Sequence, residues 1–360
     1  MGIVVSRVTN CRIEPSRKRR NALQPKNNTP YRKVNGTIKS SQCHTLTPVQ
    51  RQTQERVSVQ RGYITPQQVY NLLNAEAGHP ALHDPNYILI LDCRSAERYK
   101  QSHLVTARAS VTVIHPDLGC LISCVQLQEF SIILLYAEEG HSPVGSVEAR
   151  AASPFLQRCF FQLSDLGMDP VILLGGFAAF HTLYPFLCTS RMALLEPDRY
   201  ALTIYPSEIL EGELYQGSAA QASDYHILEN LNITHVVNAT AEYPDAFPST
   251  LSYLRLRLSD DAQQALVEAL PQAARFIAGA LSSEVGGRVL VHCSMGRSRS
   301  SALTLAFLMQ HQRWTLLHAI RWLKERRACT APNVNFLLQL LTYEEQLFGR
   351  RLTSLDDIRL

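Results

Sequence analysis

The chain has 360 residues, of which 46% are hydrophobic and 18% charged, with a formal net charge of +4; this is apolar material for two ordinary cores and argues against a wholly disordered protein. No apolar run approaches the roughly 20 residues of a membrane-spanning helix, and no segment has the succession of a secretory signal, so a cytoplasmic setting is expected. The nine cysteines are scattered, with no Cys-x-x-Cys pair, which suggests neither a disulfide framework nor a zinc site and suits reduced thiols.

Charge is unevenly placed. Residues 1–54 hold eleven Lys or Arg against one acid, Glu14, leaving 24 basic and 30 acidic residues in the rest. Residues 1–60 therefore read as a basic tail. It is rich in Asn, Gln, Ser, Thr and Pro, lacks apolar periodicity and is expected to be disordered. Three short patterns compete with that reading. Met1-Gly2-Ile3-Val4-Val5-Ser6 fits a myristoylation start, with Arg17-Lys18-Arg19-Arg20 as a second, basic membrane contact. The same cluster fits a nuclear address, and the acid-poor, Arg-rich composition fits a mitochondrial presequence. Membrane contact is expected only through a lipidated amino terminus, and no nucleic-acid partner is expected.

From residue 62 to about 190, strands and helices alternate. Thr65-Pro66 opens a helix carrying Val69, Leu72 and Leu73; a buried strand over 87–91, a short helix over 95–101 and a second strand over 131–136 follow. A helix without a strong apolar stripe is expected over about 146–167, then a third strand over 171–174 ending in Gly175-Gly176-Phe177. Such alternation implies a mainly parallel sheet with helices on its faces. The string Leu91-Asp92-Cys93-Arg94-Ser95-Ala96-Glu97-Arg98-Tyr99, with His103 and Leu173-Leu174-Gly175-Gly176-Phe177, resembles the rhodanese domain at the amino end of MAP kinase phosphatases. A sulfur-transferring rhodanese carries a cysteine after its fourth strand. Here Ile132-Ile133-Leu134-Leu135-Tyr136 is followed by Ala137, and Glu138-Glu139-Gly140-His141-Ser142 brings carboxylates to the loop where an anion would bind. The resemblance thus implies a non-catalytic domain with a protein partner. Of the arginine run by which such phosphatases dock their kinase, only Arg108 is present, so kinase docking is not implied. Asp92-Cys93-Arg94 reads as a structural polar cluster.

Turn residues around Glu196-Pro197-Asp198 read as a linker into a second α/β body over residues 203–350. Its expected elements are a helix through Ile227 and Leu231, strands over 233–240 and 254–258, a helix presenting Phe276, Ile277 and Leu281 with Pro271 near its start, and a strand over 288–292. An amphipathic helix from residue 301 carries Leu303, Phe307 and Leu308. Two more carry Leu316, Ile320 and Leu323, then Phe336, Leu340 and Leu347.

Between the last strand and the helix lies His292-Cys293-Ser294-Met295-Gly296-Arg297-Ser298-Arg299-Ser300. A strand-to-helix turn points consecutive amides inward and, with the positive helix end, makes a cradle for phosphate; Gly296 stands where the backbone must come closest. The candidate phosphate binders are Ser294, Met295, Gly296, Arg297 and Ser298 in the loop, and Arg299, whose planar guanidinium grips two oxygens. Cys293, at the floor, is the candidate nucleophile, because the field that attracts phosphate also favours thiolate. Ser300 is placed to donate to the sulfur as it leaves. Spacing alone proves nothing, since Cys11 and Arg17 repeat it in the polar tail without a strand, glycine or helix. The leaving oxygen needs a proton from elsewhere. Asp260, 33 residues before Cys293, is the chosen acid; Asp261 is the alternative, and one of the pair is expected to cap a helix. The chemistry requires no metal or cofactor.

This stretch resembles the His-Cys-x5-Arg-Ser loop of the cysteine-dependent dual-specificity phosphatases, a likeness covering about 205–349. It implies hydrolysis of phosphotyrosine and phosphoserine or phosphothreonine on proteins through a phosphocysteine, with Cys293, Arg299, Asp260, Ser300 and His292 as catalytic residues. The order of the two bodies is similar to the serine/threonine/tyrosine-interacting branch of that family. That branch includes pseudophosphatases whose His-Cys is replaced and which bind partners in signalling, stress-granule or mitochondrial settings. Here His292 and Cys293 are both present, so catalysis is expected and a regulatory binding protein is the alternative. Arg297 adds a charge that keeps phosphoinositides or RNA 5′-phosphates as a lesser alternative.

Overall fold

Two five-stranded sheets organise the computed structural model, which describes residues 62–358 apart from 77–79, 116–118, 122–123, 140–152, 193–194, 262 and 284–285. The expectations for residues 1–60, and for Gly140-His141-Ser142, lie outside the described residues.

The first sheet joins β1 (Tyr63–Ile64), β2 (Ile88–Asp92), β3 (Arg108–Ala109), β4 (Ile132–Tyr136) and β5 (Val171–Leu173) in the order β1-β5-β4-β2-β3, with every neighbouring pair parallel. Burial on both faces explains why β2 reads as a continuous apolar run. Helix α1 (Pro66–Leu73) begins where expected, because the Thr65 hydroxyl and the Gln68 side chain form a reciprocal cap and proline fills the first helical position. Two expectations need correction. Helix α2 (Pro154–Asp165) does carry an apolar stripe: Leu156, Cys159 and Leu163 are buried at helical spacing. The turn residues at 196–198 do not form an open linker but start a short helix, Glu196–Tyr200. Pro197 is tolerated in its first turn, and Glu196 and Asp198 meet its positive end.

The second sheet joins β6 (Ser207–Leu210), β7 (Leu214–Ser218), β8 (His235–Asn238), β9 (Ser252–Arg255) and β10 (Val289–Cys293) in the order β6-β7-β10-β8-β9, with only β6–β7 antiparallel. Central β10 carries Cys293 to the carboxyl edge of the sheet, in register with Ser218 on β7. In open parallel sheets this edge is where ligands bind. Strand β9 ends at Arg255 rather than 258. Helices α3 (Ala269–Leu281), α4 (Arg299–His311), α5 (Leu316–Arg326) and α6 (Val334–Phe348) cover the sheet. Helix α4 starts two residues earlier than expected and is not amphipathic: every residue from Arg299 to Met309 is buried, which makes it the hydrophobic axis of this body.

The expected fold class holds, two mainly parallel sheets flanked by helices, but the two bodies share a core. Tyr70, Leu73 and Tyr184 of the first pack in one apolar cluster with Tyr205, Tyr215, Ile227 and Leu290 of the second. Polar contacts tie the seam. The Tyr70 hydroxyl donates to Pro206 O at 2.8 Å, Asn74 Oδ1 accepts from Tyr205 N at 2.8 Å, and the Asn71 amide pairs with both Glu208 N and Glu208 O at 2.9 Å.

Candidate active site

The turn after β10 is built by tying its carbonyls away from the pocket. Ser294 O accepts from Ala219 N at 3.1 Å; Met295 O from an Arg327 terminal nitrogen at 3.2 Å; Gly296 O from Arg327 Nε at 2.7 Å and Gln216 Nε2 at 3.2 Å. Arg297 O takes Ala331 N at 2.9 Å and the Ser301 hydroxyl at 2.6 Å, and Ser298 O takes Ala302 N at 3.0 Å. A trans peptide sends its N–H opposite its C=O. With five successive carbonyls fixed outward, the amides of residues 295–299 face the cleft. Gly296 is obligatory here: its φ is +66°, and a Cβ would stand 2.4 Å from Gly217 O and 2.7 Å from an Arg327 nitrogen. Ser298 precedes α4 without capping it, because its hydroxyl donates to Asp260 Oδ1 at 2.6 Å, so the positive helix end is not neutralised by its own cap.

Cys293 is 2% exposed, at the floor of a cleft of about 270 Å³ lined by Ser294, Met295, Arg297, Ser298, Arg299, Asp260 and Ala331 as well as the thiol itself. Burial alone would raise its pKa. The Ser300 hydroxyl, 3.3 Å from Sγ, together with the amides of Ser300 and Arg297 and the charge of Arg299, outweighs burial and lowers it. Arg299 is aimed by its own partners. One terminal nitrogen meets Glu242 Oε1 at 2.8 Å and Leu258 O at 3.1 Å, and the other donates to Ser294 Oγ at 2.6 Å; Nε has no hydrogen-bond partner among the described residues. Partial burial works against ionisation of Glu242, but the Ser294 hydroxyl, its own backbone amide and Arg299 bring its pKa down to about 2. His292 lies behind the turn, 3% exposed, and does not line the cleft; burial lowers its pKa to about 4, so the imidazole is neutral near pH 7.

The two neighbouring aspartates have different surroundings. Asp260 lines the cleft, where its Oδ1 accepts from Ser298 Oγ and from Asn333 Nδ2 at 2.9 Å, while Oδ2 is 3.9 Å from Arg299 Nε. Asp261 accepts from the amides of Gln263 and Gln264 at 2.8 Å each. The capped element is a turn, however, and not the expected helix start: the next helix begins at Ala269. Arg297 lies on the rim with Nε 3.3 Å from Cys329 O.

Sequence reasoning missed Glu242, Gln216, Arg327 and Asn333. Asn333 alone carried a signal. An Asn immediately before an apolar-periodic run reads as a helix cap, and its Oδ1 does accept from Phe336 N, while its backbone amide and Nδ2 reach the site. The others act across 31 to 85 positions in sequence, as Gly296–Arg327 and Gln216–Ser301 illustrate.

Comparison with known proteins follows the same lines. The family model for the dual specificity phosphatase catalytic domain matches residues 214–346. A probable rhodanese domain-containing dual specificity protein phosphatase of Dictyostelium discoideum is 36% identical over 189 residues, 52% of this chain and 39% of that protein, so the chain spans well under half of that relative's length. Mouse dual specificity protein phosphatase 2 is 36% identical over 289 residues, covering 72% of this chain and 89% of its own. Among solved structures, human tyrosine phosphatase-like serine/threonine/tyrosine-interacting protein is 32% identical, with 39% of this chain and 97% of that one matched at a TM-score of 0.37.

Proposed function

Because the chain belongs to the dual specificity protein phosphatase family, we propose that it hydrolyses phosphotyrosine and phosphoserine or phosphothreonine on proteins through a phosphocysteine at Cys293. One observation carries the reading: five consecutive carbonyls are turned outward above a thiol of lowered pKa, leaving inward amides and Arg299 Nε to receive a phosphoryl group.

In the first step Cys293 Sγ attacks phosphorus and the bond to the leaving oxygen breaks. Asp260 Oδ2 delivers the proton that makes the departing group an alcohol or phenol. Oδ1 is held by Ser298 and Asn333, which fixes the carboxyl at the cleft and leaves the other oxygen for the proton. In the second step water attacks phosphorus, Asp260 takes its proton, and the S–P bond breaks to return thiolate. Ser300 stabilises that leaving sulfur. Arg299 and the amides of 295–299 hold the three equatorial oxygens as charge redistributes. Glu242 and Leu258 O keep the guanidinium from swinging to solvent.

Purified full-length protein should release phosphate from an aryl phosphate and from phosphotyrosyl and phosphothreonyl peptides. Phosphoinositides and 5′-phosphorylated RNA, offered alongside, test the lesser alternative. Capture of phosphopeptides without turnover would sink the catalytic reading in favour of regulatory binding.

A further inference from the structure

Two of the five loop carbonyls are held by one side chain that grips the turn from behind and does not line the cleft. Arg327, 2% exposed, follows α5 in extended conformation (φ −139°, ψ 90°), which returns the chain towards the phosphate-binding loop. Its Nε donates to Gly296 O at 2.7 Å. One terminal nitrogen donates to Met295 O at 3.2 Å and to Glu76 Oε2 at 3.0 Å, and the other to Ser207 Oγ at 3.1 Å. A buried guanidinium needs a counter-charge. That charge is Glu76, just beyond α1 in the first sheet body and 251 positions away in sequence.

We propose that Glu76 and Arg327 are a positioning pair through which the amino-terminal body holds the phosphate-binding loop in register. Peptide planarity supplies the mechanism. The carbonyls of Met295 and Gly296 are rigidly joined to the amides of Gly296 and Arg297, so clamping those oxygens aims those two donors into the cleft. The Arg297 amide is also one of the groups that lower the Cys293 pKa. The loop has no slack to compensate, since nothing larger than glycine fits between Gly217 O and Arg327. Without Glu76, Arg327 is a buried charge with no carboxylate paired to it among the described residues, and its hold on both carbonyls loosens. The Tyr70 hydroxyl marks the contrast. It crosses the same seam to Pro206 O without touching the loop.

The kinetic arm of the test rests on the phosphatase reading, and the exchange arm does not. Full-length Glu76→Gln, Glu76→Asp, Arg327→Met and Tyr70→Phe are compared by kcat and KM on p-nitrophenyl phosphate across pH, and by hydrogen exchange of the amides at 295–299. Glu76→Gln is expected to lower kcat about tenfold, to move the acid limb of kcat/KM to higher pH, and to speed exchange in the loop. Glu76→Asp recovers part of each change, and Arg327→Met lowers kcat about a hundredfold. Tyr70→Phe lowers the unfolding temperature but leaves the acid limb and loop exchange at wild-type values. Wild-type kinetics and wild-type loop exchange in Glu76→Gln overturn the inference, as does a Tyr70→Phe variant that reproduces every Glu76→Gln effect. If the wild-type chain turns over no substrate, the phosphatase reading fails while loop exchange still decides this one. Should Arg327→Met not fold, the partly exposed Glu76 position carries the test alone.

Discussion

Each sheet has a middle strand, β4 in one and β10 in the other, that ends beside an arginine, and the two arginines have opposite fates. Arg94, next to the end of β4, gives Nε to both Asp92 oxygens at 3.0 and 3.1 Å, one terminal nitrogen to Glu138 at 3.1 Å and the other to Asp92 at 2.8 Å; its guanidinium lies 3.7 Å from the Phe177 ring centre. Arg299, next to the end of β10, has no hydrogen bond at Nε among the described residues, with the Asp260 carboxylate 3.9 Å away, and it faces a thiol in place of the buried Ala137. A parallel sheet with an arginine at its carboxyl edge is therefore not enough to make an anion site. Both guanidinium groups meet two carboxylates; what separates them is that every nitrogen of Arg94 is hydrogen-bonded to one, whereas Arg299 Nε is not.

The largest test of that contrast is Cys293→Ser, which should reduce phosphate release from an aryl phosphate to background; retained turnover would move the chemistry elsewhere. Asp260→Asn is expected to slow release by about 10²- to 10³-fold, whereas Asp261→Asn, whose amide oxygen still accepts from the Gln263 and Gln264 amides, should stay near wild type. Equal losses in the two variants would remove the distinction between the aspartates. Next comes the residue before each turn, Tyr136 in β4 and His292 in β10. His292 stays neutral in the fold to about pH 4, while the unfolded chain takes up a proton below about pH 6.5, so its contribution is complete above 6.5 and is lost as pH falls towards 4. Up to about 3 kcal/mol of unfolding free energy is at stake. Denaturant titrations at pH 7 and pH 4.5 should show the decline, and His292→Asn should flatten it.

Glu242→Gln should weaken inorganic phosphate binding about tenfold, by releasing one side of Arg299. Tighter binding instead would identify Glu242 as a competitor for the guanidinium. With its pKa near 2, the wild-type Glu242 carboxylate stays charged throughout the assay range, and its stabilising effect is lost only as pH falls from the ordinary carboxylate range towards 2. The smallest expected effect is in the other sheet. Ala137→Cys restores a thiol after β4 but should add no sulfur transfer from thiosulfate to cyanide, because Arg94 stays saturated. A gain of activity there would undo the comparison.

The candidate site was legible as a unit because its parts are contiguous. Cys293, Gly296, Arg299 and Ser300 lie within one strand-turn-helix, where backbone geometry follows from local residue types. The alternation of strands and helices gave both sheets for the same reason. The buried circumference of α4 was not legible, because Ser301 and Thr304 look solvent-facing until Gln216, Arg297 O and the neighbouring helices enclose them. Nor were Glu242 and Arg327, each a lone charged residue whose partner is set by tertiary packing. The short helix at 196–200 was hidden by the turn propensity of Pro197 and Asp198, residues that favour a first helical turn as readily as a loop.

The Asn71 amide stands in for a missing strand. Strand β6 lies at the margin of its sheet, and one side chain satisfies both the N–H and the C=O of Glu208 on its open side. An uncovered margin of this kind is a template on which other chains can add themselves strand by strand. Cutting residues 203–360 away from the amino-terminal body would bare that template along with the apolar seam around Tyr215, and the freed fragment would be prone to self-associate and precipitate.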